Sequence, residues 1–262
     1  MRTLSLLVVA SIALVFCGGV NAQTAPASEI APQGRLRVAL VGSNPVLVVK
    51  KSDGSFGGVS IDLGKSIAEK LNVTFEPILY PDTDAYAKSF GKGEWDLAIG
   101  PRTPVAETHC DFSPDFMLVE NIYVAAPGHE FASAAQVDKP GVKIAVVLNG
   151  APDQFLSKNS KLAELVRISG DSDAMIEALR TGKADVYGSN AENVQAVADG
   201  LPGSKIIPGA FRSVRMAVAI PKGRSAAAQE KLAEIVKQAK TGGLLQKAID
   251  QGALKGVRVA PN

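Results

Sequence analysis

Residues 57–79 read GGVSIDLGKSIAEKLNVTFEPIL. Within them Gly64, Ile67, Ala68 and Leu71 recur at i, i+3, i+4 and i+7, the spacing that gathers small and apolar side chains on one face of a helix. Residues 73–79 then read as a strand. Working outward, residues 36–41 (LRVALV) and 95–99 (WDLAI) are short β-rich runs on either side, so the first third of the chain alternates strand and helix. A second set follows: strand at 143–148, helix from about Pro152, strand near 165–168, helix at 171–180 and strand at 184–187. The chain closes with a strand at 214–220, a helical stripe of Leu232, Ile235, Val236 and Ala239, and a short helix at 244–251. Helices of about 10 to 12 residues between short apolar strands predict parallel sheets with helices on both faces, here in two successive units. The expected class is α/β, with two lobes and a returning tail.

Composition narrows the function classes. With 46% hydrophobic and 21% charged residues over 262 positions, the chain can build a substantial core and is not a disordered tail. Lys and Arg number 28 against 26 Asp and Glu, and they are interspersed, so no basic stripe marks a nucleic-acid partner. The one long apolar run is N-terminal. Met1-Arg2 is a short positive region, residues 4–16 are apolar but too few to span a bilayer, and Val20-Asn21-Ala22 is a small-residue cleavage signature. Residues 1–22 are therefore expected to be a cleaved secretory signal, so that the mature protein is exported. Bulky Phe16 precedes Cys17, unlike the small residue that a lipid-acceptor cysteine follows. Cleavage removes Cys17 and leaves Cys110 without a partner, so the fold rests on its core rather than on a disulfide. Residues 23–34, rich in Ala, Pro, Ser and Gln, read as a flexible lead.

Common catalytic signatures are missing. There is no HExxH, CxxC, GxSxG or GxGxxG, and His109 and His129 stand apart without helical spacing. No metal or cofactor is expected. Gly64-Lys65-Ser66 looks like the end of a phosphate-binding loop, but the earlier glycine such a loop needs falls at Val59, and the segment lies inside a helix rather than before one. Asn72-Val73-Thr74 matches a glycosylation sequon at a strand start and carries no further argument.

Six segments resemble one family in its own order. Residues 57–63 (GGVSIDL) resemble its GFDVDL segment, residues 93–98 (GEWDLA) its G-K-x-D-hydrophobic strand, and residues 111–114 (DFSP) its DFS stretch. Residues 143–146 (KIAV) resemble the strand that opens the second lobe, residues 182–186 (GKADV) the G-x-A-D-hydrophobic motif, and residues 217–223 (AVAIPKG) the IAVRKG strand. The family is the bacterial extracellular solute-binding proteins, family 3, the receptors of ABC importers for polar amino acids; the resemblance runs from about Gly34 to Gly256. It implies a type II periplasmic-binding-protein fold, two parallel-core sheets joined by hinge strands near 120–125 and 212–217. Lobe 1 would take residues 35–122 and 217–262, and lobe 2 residues 123–216. A small polar solute would sit in the interlobe cleft, and closure would present the protein to an ABC permease and, through it, an ATPase. The protein is expected to act as a monomer.

Departures from the family pattern bear on the ligand. The arginine that usually holds an amino acid's α-carboxylate falls at Ala106, and the aspartate that usually holds its ammonium falls at Asn190. Losing both forfeits charge-assisted hydrogen bonds of roughly 1.5 to 3 kcal/mol each, so a standard zwitterionic amino acid is not the expected ligand. Arg102 is a substitute anion anchor or a paired loop arginine, and Thr103 a hydroxyl donor or a turn residue before Pro104. The family's aromatic walls fall at Val46 and Thr83, with Tyr80 and Tyr86 nearby. Asp82 and Asp84 suit a helix cap. Asn149-Gly150-Ala151-Pro152 replaces a G-T-T segment and leaves backbone amides at a helix start, where Pro152 fits. Asn190 is either a ligand contact or an N-cap. The expected ligand contacts are Arg102, Thr103, Asn190, Gly150, Ala151, Asn44, Thr83 and Tyr86. Two other functions share the fold: a cyclohexadienyl-dehydratase-like enzyme, with Glu107 or Asp84 as its acid, and a receptor subunit that senses rather than transports.

Overall fold

The computed structural model describes residues 25–44, 46–148, 150–169 and 171–261, so the expected signal segment lies outside it. The elements in chain order are α1 (Ala25–Ile30), β1 (Arg35–Val41), β2 (Val49–Lys50), β3 (Phe56–Gly57), α2 (Val59–Leu71), β4 (Thr74–Tyr80), α3 (Thr83–Lys88) and β5 (Leu97–Pro101). Next come α4 (Pro104–His109), β6 (Cys110–Phe112), β7 (Met117–Ala125), β8 (Lys143–Val147), α5 (Ala151–Asn159), β9 (Glu164–Ile168) and α6 (Ser172–Arg180). The chain ends with β10 (Val186–Asn190), α7 (Ala191–Gly200), β11 (Lys205–Pro221), α8 (Ala226–Thr241), α9 (Leu244–Gln251) and β12 (Val257–Val259).

The stretch quoted first behaves as its pattern predicts. Helix α2 buries Leu63, Gly64, Ile67, Ala68 and Leu71, and full burial of each large apolar side chain is worth roughly 1.5 to 3 kcal/mol. It ends at Asn72, whose left-handed backbone (φ 55°) lets its N–H bond back to the Ala68 and Glu69 carbonyls. Glycine at 64 is required by proximity: a Cβ there would lie 2.5 Å from the Phe75 ring of β4.

Strand β1 is parallel to β4 and β5, and β8 is parallel to β9 and β10. Between these two parallel sets lies an antiparallel seam, with β11 paired to β5 and β7, and β7 paired to β10. The order β4-β1-β5-β11-β7-β10-β8-β9 makes one continuous mixed sheet, with β6 on β11 and β12 on β7. Apolar cores follow the same division. One gathers residues from 27–117 and 216–249, with an aromatic extension at Tyr86, Phe90 and Trp95; the other gathers residues from 123–207.

Part of the segment expected to be a flexible lead is instead structured. Ala27, Ile30 and Ala31 are at most 4% exposed, packed with α8, and Glu29 accepts hydrogen bonds of 2.9 Å from both the backbone N–H and the hydroxyl of Ser225. The i, i+3, i+4 spacing of those three apolar residues makes a short buried face that a reading by composition does not register.

Candidate functional site

Parallel strands leave their carboxyl ends unroofed, and ligands of such sheets lodge there. Here the carboxyl ends of both parallel sets converge on one cavity of about 360 Å³. Pro101 ends β5, Val147 ends β8, Asn190 ends β10, and Asn44 follows β1; all four line it. Its floor is the antiparallel seam, through Val119 and Asn121 of β7 and Val214 and Met216 of β11. Gly150, Ala151 and Pro152, at the start of α5, close it from the other side. A larger recess of about 490 Å³ lies between α2 and α9, edged by Asp62, Lys65, Glu69 and Lys247. It touches no strand end, so the smaller cavity is the better candidate for a solute.

The expected site residues divide evenly. Asn44, Gly150, Ala151 and Asn190 line the cavity together. Asn44 accepts the Val46 N–H at 3.1 Å through Oδ1. Asn190 caps α7, its Oδ1 accepting the Asn193 N–H at 2.9 Å, and it also lines the cavity. Gly150 caps α5 without a side chain. Asn149 of the same segment lies outside the described residues.

Arg102, Thr103, Thr83 and Tyr86 are not among the lining residues. Arg102 donates to Asp115 at 2.8 Å and to the Ser113 carbonyl at 2.7 Å, and lies 4.6 Å over the Phe112 ring. Burial pushes the Asp115 carboxyl up, but hydrogen bonds from Arg102 and Arg215 outweigh it and hold it below the usual carboxylate value. Arg102 therefore ties down the DFSP segment. Thr103 caps α4, accepting the Ala106 N–H at 3.2 Å. Thr83 opens α3, which Asp82 caps, accepting the Ala85 N–H at 2.8 Å. Tyr86 is 5% exposed, its ring edge-on to those of Tyr80 and Phe90.

Three further lining residues carry no sequence motif. Asn121 is 5% exposed, lines the cavity, and has an Oδ1 without a hydrogen-bond partner. Ser189 and Asn193 complete the polar lining, the Asn193 amide donating to the Ser189 hydroxyl at 3.3 Å. An asparagine inside a β-rich run is the one signal that could have found Asn121: residues 117–125 read MLVENIYVA. Among the described residues the lining holds no Asp, Glu, His, Lys, Arg, Tyr or Cys, and no group of His, Cys, Asp or Glu elsewhere is placed to hold a metal ion. What the arrangement offers is four side-chain amides and a hydroxyl set among valines.

A mixed sheet with two parallel sets about an antiparallel seam, and one cavity at their facing ends, defines a two-lobed binding protein. The chain belongs to the bacterial extracellular solute-binding proteins, family 3, whose model matches residues 36–251. It is 24% identical over 188 residues to a cyclohexadienyl dehydratase of Pseudomonas aeruginosa, covering 70% of this chain and 69% of that one. Among solved structures it is similar to an ancestral cationic amino acid solute-binding protein, with a TM-score of 0.65 at 22% identity over 86% of this chain and 98% of that one. It is also similar to a solute receptor for L-cysteine of Neisseria gonorrhoeae, with a TM-score of 0.62 at 19% identity over 88% and 94%. Among the described residues no helix is long and apolar enough to cross a membrane.

Proposed function

We propose that this protein is the periplasmic solute-binding component of an ABC importer, which captures a small polar solute other than a standard amino acid. It is exported by residues 1–22 and acts as a monomer. Lobe 1 comprises residues 35–122 and 217–262 and lobe 2 residues 123–216, with the hinge at residues 120–125 of β7 and 212–217 of β11. Solute bound between the lobes stabilises the closed state in proportion to its extra contacts there, and the closed surface is what a membrane permease reads.

The observation that carries this reading is the lining: a cavity of about 360 Å³ with converging amides and, among the described residues, no acidic, histidine, lysine, tyrosine or cysteine side chain. That volume suits a small solute. A dehydratase needs a general acid within reach of the leaving group. Glu107 is exposed and outside the cavity, and Asp84 is engaged with Lys88 at 2.6 Å. The dehydratase relative makes the enzyme the reading to be excluded. The test is a thermal-shift screen of refolded, ligand-free protein against organic acids, amides, amines, sugars and amino acids, with a turnover assay on a prephenate-like acid. A solute at 100 times its dissociation constant adds about 2.7 kcal/mol of stability. Binding without turnover supports solute capture, and turnover refutes it. Association of the loaded protein with permease-containing membranes separates import from sensing by another receptor.

A further inference from the structure

One cationic side chain stands just outside the lining of the cavity and has, among the described residues, no carboxylate. Arg102 and Arg215 share Asp115, Arg258 pairs with Glu120, and Arg167 pairs with Asp153. Arg212 has no such partner among the described residues. Its one side-chain hydrogen bond among the described residues is from Nη1 to the Ala151 carbonyl, at 3.1 Å, and its guanidinium lies 5.1 Å over the Phe155 ring. Both groups belong to α5, whose first residue lines the cavity. A guanidinium carries five donors in a planar fork, so this contact leaves most of the fork unused.

The strand register sets its place. On β11, Arg212 alternates with Val214 and Met216, both cavity-lining, and residues two apart share a sheet face. Across the seam Arg212 stands directly opposite Asn121, and Asn121 directly opposite Asn190, which makes one row from β11 through β7 to β10. Directly opposed residues share a face and lie within reach of one another. Arg212 is also the first paired residue after the register shift that follows Ile207, the kind of irregularity that re-aims a side chain.

We infer that Arg212 is the anion anchor of the cleft and that the solute is a small monocarboxylate whose other polar groups are uncharged. The inference rests on the solute-capture reading and names its ligand class. A guanidinium takes a carboxylate bidentately. The unpartnered Oδ1 of Asn121, beside it in the row, calls for a donor such as a ligand hydroxyl or amide N–H. No acid among the described lining residues meets an ammonium, so an amino acid would lose its second charge to burial without compensation.

The test uses the refolded full chain and matched sets of probes read by calorimetry: glutaramate, its carboxamide glutaramide and its α-amino counterpart L-glutamine, with the corresponding three- and four-carbon sets ending in amide or hydroxyl. At least one monocarboxylate is expected to bind tenfold or more tighter than its carboxamide and its amino acid. Arg212→Ala is expected to weaken that binding roughly ten- to a hundredfold, the worth of a charge-assisted hydrogen bond, and Arg212→Lys to restore part of it. Asn121→Asp, which sets a carboxylate opposite the guanidinium, keeps the fold and abolishes the same binding. Equal affinity for carboxylate and carboxamide, or carboxylate affinity indifferent to Arg212→Ala, overturns the assignment. Binding confined to neutral or cationic solutes overturns the ligand class and leaves solute capture standing; no binding by any solute class overturns both.

Discussion

Replacing Asp96 by alanine should unfold the protein early without touching its cleft. The Asp96 side chain is 1% exposed and Arg37 17% exposed; they meet at 2.8 Å and 3.2 Å, and the carboxylate also accepts the Arg37 backbone N–H at 2.9 Å. That pair joins the amino ends of β1 and β5, the ends away from the cavity. The hydrogen bond to Asp96 raises the Arg37 pKa above its usual value, against the effect of burial. Removing one partner of a buried pair leaves the other charge uncompensated, at a cost of about 3 to 5 kcal/mol. At about 2 to 4 °C per kcal/mol for a chain of this size, the midpoint should fall by about 6 to 20 °C. Replacing both partners, as Arg37→Met with Asp96→Leu, should recover much of that loss, because no buried charge is stranded. The assay is thermal unfolding followed through Trp95, the one tryptophan, 4% exposed in the same core. A loss below about 1 kcal/mol for Asp96→Ala, the range of a surface pair, would refute the reasoning, as would weakened solute binding in the folded variant.

Tyr86→Ala should cost about 3 to 5 kcal/mol of stability as an aromatic core truncation and leave solute affinity unchanged; calorimetry on the folded variant checks this, and lost affinity would return Tyr86 to the site. Thr103→Ala should cost about 1 kcal/mol, the worth of a helix cap, in urea unfolding, again without an effect on binding. Burial pushes the Asp138 carboxyl up, but the N–H groups of Ala163, Lys161 and Leu162 and the Ser160 hydroxyl outweigh it and hold it well below its ordinary 3.8. Its stabilisation is complete above that unfolded value and is lost as pH falls through the lower folded one. Urea unfolding of wild type and Asp138→Asn should thus show a gap at pH 7 that narrows steadily below about pH 4; a gap that widens in acid would contradict the assignment.

The alternating elements were legible because their physics is local. The apolar stripe of α2 and the short apolar strands of both parallel sets follow from spacing along the chain, and the parallel pairing follows from the helices between them. Element α1 was hidden because its three buried residues sit in a segment whose composition reads as linker. The cleft was half legible. Asn190 ends β10 and Gly150 follows β8, an order that a local pattern reveals, whereas Asn121 and Arg212 come together only because β7 and β11 pair across 90 intervening positions. Arg102 and Tyr86 show the converse. Their types suit a ligand, but Asp115 and the aromatic cluster around Phe90 claim them, and no spacing along the chain announces those partners.

The central claim, that solute is held between the lobes, is tested most directly by plugging the cleft. Ala151 is exposed at the first turn of α5 and lines the cavity, so Ala151→Trp would fill much of the space without disturbing either core. Whichever solute stabilises the wild type should be titrated by calorimetry into this variant. An unchanged unfolding midpoint with binding abolished is the predicted result; binding of undiminished affinity would place the solute elsewhere on the molecule and contradict the account.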